Sequence, residues 1–164
     1  MRWYVIQVQN GTEAVFQKLL EKENIPVVIP KEYRLIHVRK RWIEKMYYLF
    51  PGYIFICLPF FSAATFQMIC KQPGFLHFLP NNENAQPIAE EELANNAFLD
   101  FVLKNETITP LTLDLSGSQP VIVDEPLKGF NNQIVKIDRH SRKVHVAVPF
   151  HGKEHIVKLS YYER

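Results

Sequence analysis

The sequence predicts an α+β protein of two domains, an N-terminal α/β sandwich followed by a small all-β, SH3-like barrel. Strand-like and helix-like segments alternate over residues 1–105, which is typical of a sheet with flanking helices. Short Val/Ile-rich runs separated by turn residues fill residues 118–164, a pattern typical of a barrel. Residues 106–117 contain Pro110 and Ser-Gly-Ser without helical periodicity, and they are interpreted as a linker.

Each element of the first domain has a local signal. The run WYVIQVQ alternates apolar and polar residues, and Asn10-Gly11 ends it. Thr12 and Ser62 are positioned to cap helices, and Pro73-Gly74 ends the second helix. Basic residues 39–45 are interpreted as a hairpin tip within an antiparallel sheet. The expected strands are 3–9, 27–39, 47–58 and 75–80, and the expected helices are 12–23, 63–71 and 89–104.

The second domain is predicted from four strands that alternate with polar turns. Val and Ile dominate these runs, and such residues favour strands over helices. We therefore expect a stable β domain with no helical alternative. The expected strands are 120–125, 132–138, 143–150 and 154–160.

Composition excludes several classes of protein. The sequence has no run of 18 apolar residues, so no membrane span is expected. Its N-terminal residues lack the pattern of a signal peptide, and a cytoplasmic monomer is the default expectation. Cys57 and Cys70 both lie in apolar contexts and are expected to be buried thiols rather than a disulfide.

The small net charge of +2 hides an uneven distribution of charged residues. Residues 1–79 and 118–164 carry excess positive charge, whereas residues 80–117 are acidic. Two basic regions suit a polyanionic partner such as nucleic acid. The alternative is that an acidic helix merely shifts the local count.

Enzyme motifs are absent from the sequence. It contains no phosphate-binding glycine loop, GxSxG, paired CxxC or HExxH. His151 and His155 are four residues apart, but their region alternates like strand and turn, so this spacing does not bring both rings together as it would on a helix. We expect no enzymatic activity, no metal site and no cofactor.

Three segments, in this order, resemble the NusG family of transcription factors. They are WYVIQVQNGTEA at 3–14, LFPGYIFI at 49–56 and VIVDEPLKGFNNQIVKID at 121–138. The resemblance covers nearly the whole chain. It implies an NGN domain over 1–105, a linker over 106–117 and a KOW domain over 118–164.

The resemblance implies a site for RNA polymerase at the aromatic segment. In this family the NGN domain binds the polymerase clamp helices through an apolar depression. The matching residues here are Phe50, Pro51, Tyr53 and Phe55. Strand alternation places Tyr53 and Phe55 on one face, which we expect to be left uncovered for the partner. The alternative is that both faces of the strand belong to the core.

The basic hairpin is a candidate nucleic-acid contact. Arg39, Lys40, Arg41 and Trp42 combine positive charge with one aromatic ring. The resemblance implies that this part of the domain lies near upstream or non-template DNA. The alternative is a solvated loop with Trp42 folded back against the hairpin.

The turns of the predicted barrel carry a cluster of basic residues that suits RNA phosphates. The candidates are Lys128, Arg139, His140, Arg142, Lys143 and Lys153. In the NusG family the barrel also engages Rho or a ribosomal protein through an apolar loop residue followed by glycine. Phe150 lies in that place here, although His151 separates it from Gly152.

These features predict a transcription elongation and antitermination factor that resembles the LoaP group. Its NGN domain is expected to bind RNA polymerase and suppress pausing and termination, and its KOW domain to bind a leader RNA hairpin. One alternative is a general NusG-like factor that couples to Rho or a ribosomal protein, and another is an RfaH-like, DNA-recruited antiterminator. A ribosome-associated KOW protein unrelated to polymerase is the third.

Overall fold

The computed structural model describes residues 1–125 and 127–164, with the backbone but not the side chain of Leu35. The strands are β1 Arg2–Val8, β2 Val27–Val28, β3 Lys31–Val38, β4 Arg41–Tyr48, β5 Tyr53–Leu58, β6 Phe75–Phe78, β7 Thr107–Ile108, β8 Leu111–Asp114, β9 Val121–Ile122, β10 Ile134–Asp138, β11 Lys143–Phe150 and β12 Lys153–Glu163. The helices are α1 Glu13–Lys22, α2 Ala63–Lys71, α3 Glu90–Ala94 and α4 Ala97–Asn105, with a 3₁₀ segment at Leu127–Gln133. The chain divides into two compact units, 1–29 with 50–90, and 30–49 with 91–164.

The first unit is built on an antiparallel sheet in the order β2-β5-β1-β6. β1 and β5 are its central strands, and their apolar side chains form much of its core. Val5, Ile6, Ile54 and Ile56 are all fully buried. Apolar side chains along both central strands therefore anchor this half of the molecule.

Helix α1 begins as predicted but is not capped as predicted. Phe16 and Leu20 are buried on one face, as their spacing requires. The Thr12 side chain does not cap the helix; its hydroxyl instead donates a 2.6 Å hydrogen bond to the Gln9 carbonyl. Ser62, in contrast, caps α2 by accepting a 3.1 Å hydrogen bond from the Thr65 amide.

The long strand expected over 47–58 is interrupted. β4 ends at Tyr48, and a turn containing Pro51 and Gly52 precedes β5. The two strands belong to different sheets, because β4 pairs with β3 whereas β5 pairs with β1 and β2. Gly52 has a φ of 84°, a left-handed conformation that stops a continuous extended run.

The second unit contains two sheets. The hairpin β3-β4 forms one sheet with β7, which pairs parallel to β3. The barrel sheet has the order β10-β11-β12-β8-β9. Inward side chains alternate along β11, where Val144, Val146 and Val148 are fully buried. The β structure expected for the C-terminal residues is therefore confirmed.

The segment expected as a linker contains two strands, β7 and β8. β8 pairs in parallel with the end of β12, Leu111 opposite Tyr161, and antiparallel with β9. Leu111 and Leu113 are fully buried. The alternation of apolar and polar residues in LTLD is thus a strand signal that the neighbouring Pro110 obscured. The predicted domain boundaries at 105 and 118 stay a prediction.

The helix expected over 89–104 is two helices. Asn96 interrupts it and caps α4, since its side-chain oxygen accepts a hydrogen bond from the Leu99 amide at 3.2 Å. The buried face of α4 is formed by Phe98, Leu99, Val102 and Leu103.

The fold class is confirmed as a helix-and-sheet N-terminal half followed by an all-β C-terminal half. Within 1–125 and 127–164, no helix is long and apolar enough to cross a membrane. Cys57 and Cys70 are half-buried free thiols, and their partial burial raises the pKa of both.

Candidate functional site

The aromatic segment that sequence reasoning assigned to a partner is largely buried. Phe50 and Phe55 are 3% and 0% exposed, and their rings meet edge to face at a centroid distance of 5.9 Å. Tyr53 is half-buried and Pro51 is exposed. The expectation of an uncovered aromatic face is wrong for Phe55, because β5 lies between two strands and carries buried side chains on both faces. A binding role for these four residues stays a prediction.

A buried carboxylate holds the turn before β5. Glu13 is 2% exposed, and its two oxygens accept hydrogen bonds from the Gly11 amide at 2.6 Å and the Gly52 amide at 3.1 Å. The Val8 amide in turn donates a hydrogen bond to the Gly52 carbonyl at 2.7 Å. The turn that presents Pro51 and Tyr53 is therefore fixed to the end of β1 from two sides.

The basic hairpin presents its charges at an exposed tip. Arg39 and Lys40 form a two-residue turn with φ values of 50° and 64°, the geometry that suits the twist of a hairpin. Trp42 is 69% exposed and faces His37 across the hairpin, with ring centroids 5.0 Å apart. Arg41 is also exposed. The structure thus brings together all four predicted hairpin residues.

The base of the hairpin is tied to β12 by a buried carboxylate. Glu32 is fully buried, and it accepts a 3.0 Å hydrogen bond from the Ser160 amide. Arg34 lies 2.8 Å from the other Glu32 oxygen, and its guanidinium stacks over the Tyr47 ring at 4.1 Å. A buried carboxylate needs such partners, because removing an ion from water costs several kcal/mol when nothing in the protein compensates its charge.

The turn between β10 and β11 displays most of the predicted RNA-binding residues. Asp138 holds it, because one of its oxygens accepts hydrogen bonds from the amides of His140 and Ser141, both at 3.1 Å. Hydrogen bonds from Ser141 are the main reason that the pKa of Asp138 is lowered. Arg142 adopts a left-handed φ of 55°. We call the exposed or half-exposed residues Arg139, His140, Arg142 and Lys143 the basic turn.

Two predicted RNA contacts lie away from the basic turn. Lys153 begins β12 beside Phe150, at the opposite end of β11 from Lys143. An eight-residue strand spans roughly 25 Å, so one short contact does not reach both ends. Lys128 lies in the 3₁₀ segment and pairs with Glu125 at 3.0 Å. The structure therefore brings together four of the six predicted residues.

Phe150, the predicted protein contact, is fully buried. Its ring stacks on His155 with centroids 4.0 Å apart and planes inclined by 8°. Burial lowers the pKa of His155 to about 4, and nearby Lys153 adds to this effect. Burial also lowers the pKa of His151. The role of Phe150 as a partner contact stays a prediction, and its ring is not at the surface in this structure.

Sequence reasoning missed Tyr161 and Tyr162 at the end of β12. Together with Trp42, Arg142 and Lys143 they line a cavity of about 660 Å³. The available signal was a pair of adjacent tyrosines following a basic strand. In the two described ranges, no group of three or more His, Cys, Asp or Glu side chains has the arrangement of a metal site.

Comparison with known proteins gives a consistent picture. The family model described as NusG, transcription termination factor nusG, matches residues 1–96. The transcription termination/antitermination protein NusG of Pseudomonas aeruginosa is 24% identical over 98% of this chain and 95% of its own length. The protein of that name from Bacillus subtilis is 25% identical over 97% of this chain and 94% of its own.

A solved structure has a similar fold. It is titled "Domain interaction in Thermotoga maritima NusG" and aligns with a TM-score of 0.54 at 20% identity, covering 97% of this chain and 93% of that one. At that identity the likeness supports the fold.

Proposed function

The chain belongs to the NusG family of transcription termination/antitermination factors, and from that premise we propose that it is an operon-specific antitermination factor. In this proposal residues 1–105 bind RNA polymerase, and the barrel recruits the factor to chosen transcripts by binding RNA. The observation that carries it is the basic turn, which concentrates Arg139, His140, Arg142 and Lys143 on an accessible end of the barrel. This specialisation resembles that of the LoaP group.

The polymerase contact is proposed at the turn before β5. Pro51 and Tyr53 are the accessible members, while Phe50 and Phe55 lie beneath the surface and fix their position. A proline and a tyrosine on a rigid turn present apolar area with little loss of conformational entropy on binding. The clamp helices of the polymerase are the proposed partner.

The proposed mechanism needs only differential binding. A factor that binds the closed, active clamp more tightly than the open clamp shifts the population toward the active state. Paused and terminating complexes are then disfavoured without any chemical step. The exposed charges of Arg39, Lys40 and Arg41 are proposed to contact upstream or non-template DNA phosphates in the same complex.

The polymerase contact is tested by co-purification with RNA polymerase. Tyr53→Ala is expected to weaken binding about tenfold or more, as truncating a central aromatic anchor does. Leu76→Ala is the matched control, because Leu76 is an apolar residue of β6 that is 44% exposed in the same unit. Equal binding by wild type and Tyr53→Ala would remove this turn from the polymerase contact.

The RNA contact is tested by gel shifts at several salt concentrations. Arg142→Ala is expected to weaken RNA binding and to reduce the salt dependence by about one phosphate contact. Lys18→Ala on α1 removes the same charge from an exposed residue of the other unit and serves as the control. Lys153→Ala measures whether RNA reaches the far end of β11. Identical salt slopes for wild type and Arg142→Ala would contradict RNA binding by the basic turn.

RNA is favoured over a protein partner at the barrel for a structural reason. The apolar loop residue that a Rho or ribosomal-protein contact requires is Phe150, and its ring is buried against His155. The charges of the basic turn are accessible without any rearrangement.

A further inference from the structure

A cavity of about 660 Å³ lies between the β3-β4 hairpin and the barrel. The hairpin contributes Trp42, and the barrel contributes Arg142 and Lys143 from the basic turn and Tyr162 from β12. This volume lies within the range of small-ligand sites. Of the residues that line the cavity, the hairpin supplies the indole and the barrel supplies the cationic side chains.

The walls of the cavity are held in place before any ligand arrives. Glu32 of β3 is fully buried and bonded to the Ser160 amide of β12 at 3.0 Å, which joins the hairpin base to the barrel. Lys143 donates a 2.7 Å hydrogen bond to the Ser160 hydroxyl. The side chains at the cavity mouth therefore stand on a connected framework, which lowers the entropy that binding costs.

The exposed groups in the cavity combine rings and positive charge. Trp42 is 69% exposed and Tyr162 is 49% exposed, although large aromatic rings are usually buried when no partner covers them. Arg142 and Lys143 supply cationic donors beside them. Among the described residues that line this cavity and the adjoining one with Arg139, Glu163 carries the only negative charge. Aromatic faces bordered by cations match a nucleotide, whose base stacks while its phosphate pairs with the cations.

We propose that this cavity binds one unpaired RNA nucleotide, with its base stacked on Trp42 and its phosphates at Arg142 and Lys143. The inference rests on the proposed RNA binding by the barrel and adds a site for single-stranded RNA beside it. It gives the hairpin a part in RNA recognition, so the two halves of the second unit read the transcript together.

The test uses the full chain with Trp3→Phe, which leaves Trp42 as the single tryptophan. Octaadenylate RNA is expected to quench Trp42 fluorescence in a saturable manner. Trp42→Ala is expected to weaken octaadenylate binding, followed by anisotropy of a labelled RNA, about tenfold, the size of one lost base stack. Trp42→Phe should retain most of the affinity, and Ile43→Ala, which removes the next exposed apolar side chain of β4, should retain all of it.

A blunt RNA duplex of 12 base pairs separates this inference from the proposed function. Its binding should weaken with Arg142→Ala and stay unchanged with Trp42→Ala, because it offers no unpaired base. One outcome is that Arg142→Ala weakens duplex binding while Trp42→Ala leaves octaadenylate binding unchanged. That outcome would overturn the nucleotide site and leave RNA binding by the basic turn intact. Failure of the parent protein to bind either RNA overturns both. Tighter binding of octadeoxyadenylate than of octaadenylate overturns RNA as the occupant.

Discussion

Two turns of this molecule are held by the same device in opposite surroundings. In the turn before β5, the Glu13 carboxylate accepts hydrogen bonds from two backbone amides. One belongs to nearby Gly11 and the other to Gly52, 39 residues along the chain. In the basic turn, Asp138 does the same for amides two and three residues away. The first carboxylate is buried and the second is exposed to solvent. We call the hydrogen bonds to Glu13 the buried clamp; they join distant parts of the chain and support the fold. We call those to Asp138 the exposed clamp; they are local and shape a surface.

The largest effect is expected from removing the buried clamp. Glu13→Ala leaves two amides without their acceptor, and each hydrogen bond to a charged group contributes about 1.5–3 kcal/mol. We expect the free energy of unfolding to fall by about 2–4 kcal/mol in urea denaturation, less than the sum of two such bonds because the amide of exposed Gly11 can bond to water instead. Glu23→Ala, an exposed glutamate after the same helix, should change it by less than about 0.5 kcal/mol. A loss as small as that of Glu23→Ala would show that the buried clamp contributes no stability.

The next effect concerns the glycine that the buried clamp holds. A Cβ at Gly52 would lie 2.7 Å from Asn10 Oδ1 and 2.9 Å from the Val8 carbonyl oxygen, at a φ of 84°. Gly52→Ala should therefore destabilise by more than about 1 kcal/mol in thermal or urea unfolding.

Gly11→Ala is the matched control for that substitution. Gly11 has a similar φ of 96° but no atom within 4 Å of its Cβ position. It should show the backbone strain without the close contact. If the two variants lost equal stability, the close approach of the turn to β1 would contribute nothing.

His155 of β12 shows how partial burial affects the pH dependence of stability. The pKa of His155 is lowered to about 4, so the folded state binds fewer protons than the unfolded state between pH 4 and about 6.5. Stability from this group is present above pH 6.5 and is lost as the pH falls toward 4. After discounting for partial exposure, we expect a loss of about 1 kcal/mol. His155→Phe keeps a ring beside Phe150 and should reduce the dependence of the unfolding free energy on pH between 4 and about 6.5. If that pH dependence were unchanged, other groups would be its cause.

The smallest effect on stability is expected at the exposed clamp. Asp138→Ala should leave the urea midpoint of unfolding nearly unchanged, because the His140 and Ser141 amides can bond to water instead. RNA affinity in gel shifts should nevertheless fall several-fold, since the basic turn loses its shape. Asp114→Ala is the control, because Asp114 bonds the Ser116 amide at 3.0 Å in the same local manner outside the basic turn. If Asp138→Ala and Asp114→Ala bound RNA equally well, the shape of the basic turn would not matter for RNA binding.

The same contrast explains how much the sequence predicted. β11 was predicted at its observed bounds, and the basic turn was recognised, because alternation and turn residues are local signals. The break at Asn96, the burial of Phe55 and the strand at 111–114 were missed. The burial of Phe55 and the pairing of β8 depend on partners distant in the chain, and Asn96 adds hydrogen bonds with Pro149 and Gln133 to its local cap. Tyr162 was missed for the same reason, since its neighbour Trp42 in the cavity is 120 positions away.

The parallel pairing of β8 with β12 has a practical consequence for anyone who cuts this protein into pieces. A fragment that starts at residue 118 would lack Leu111–Asp114 and would leave the final strand with a bare row of amide and carbonyl groups. Unpaired strand edges of that kind can pair with strands of other molecules, so we expect such a fragment to aggregate. A cleavage point ahead of Thr107 would retain the strand that covers this edge.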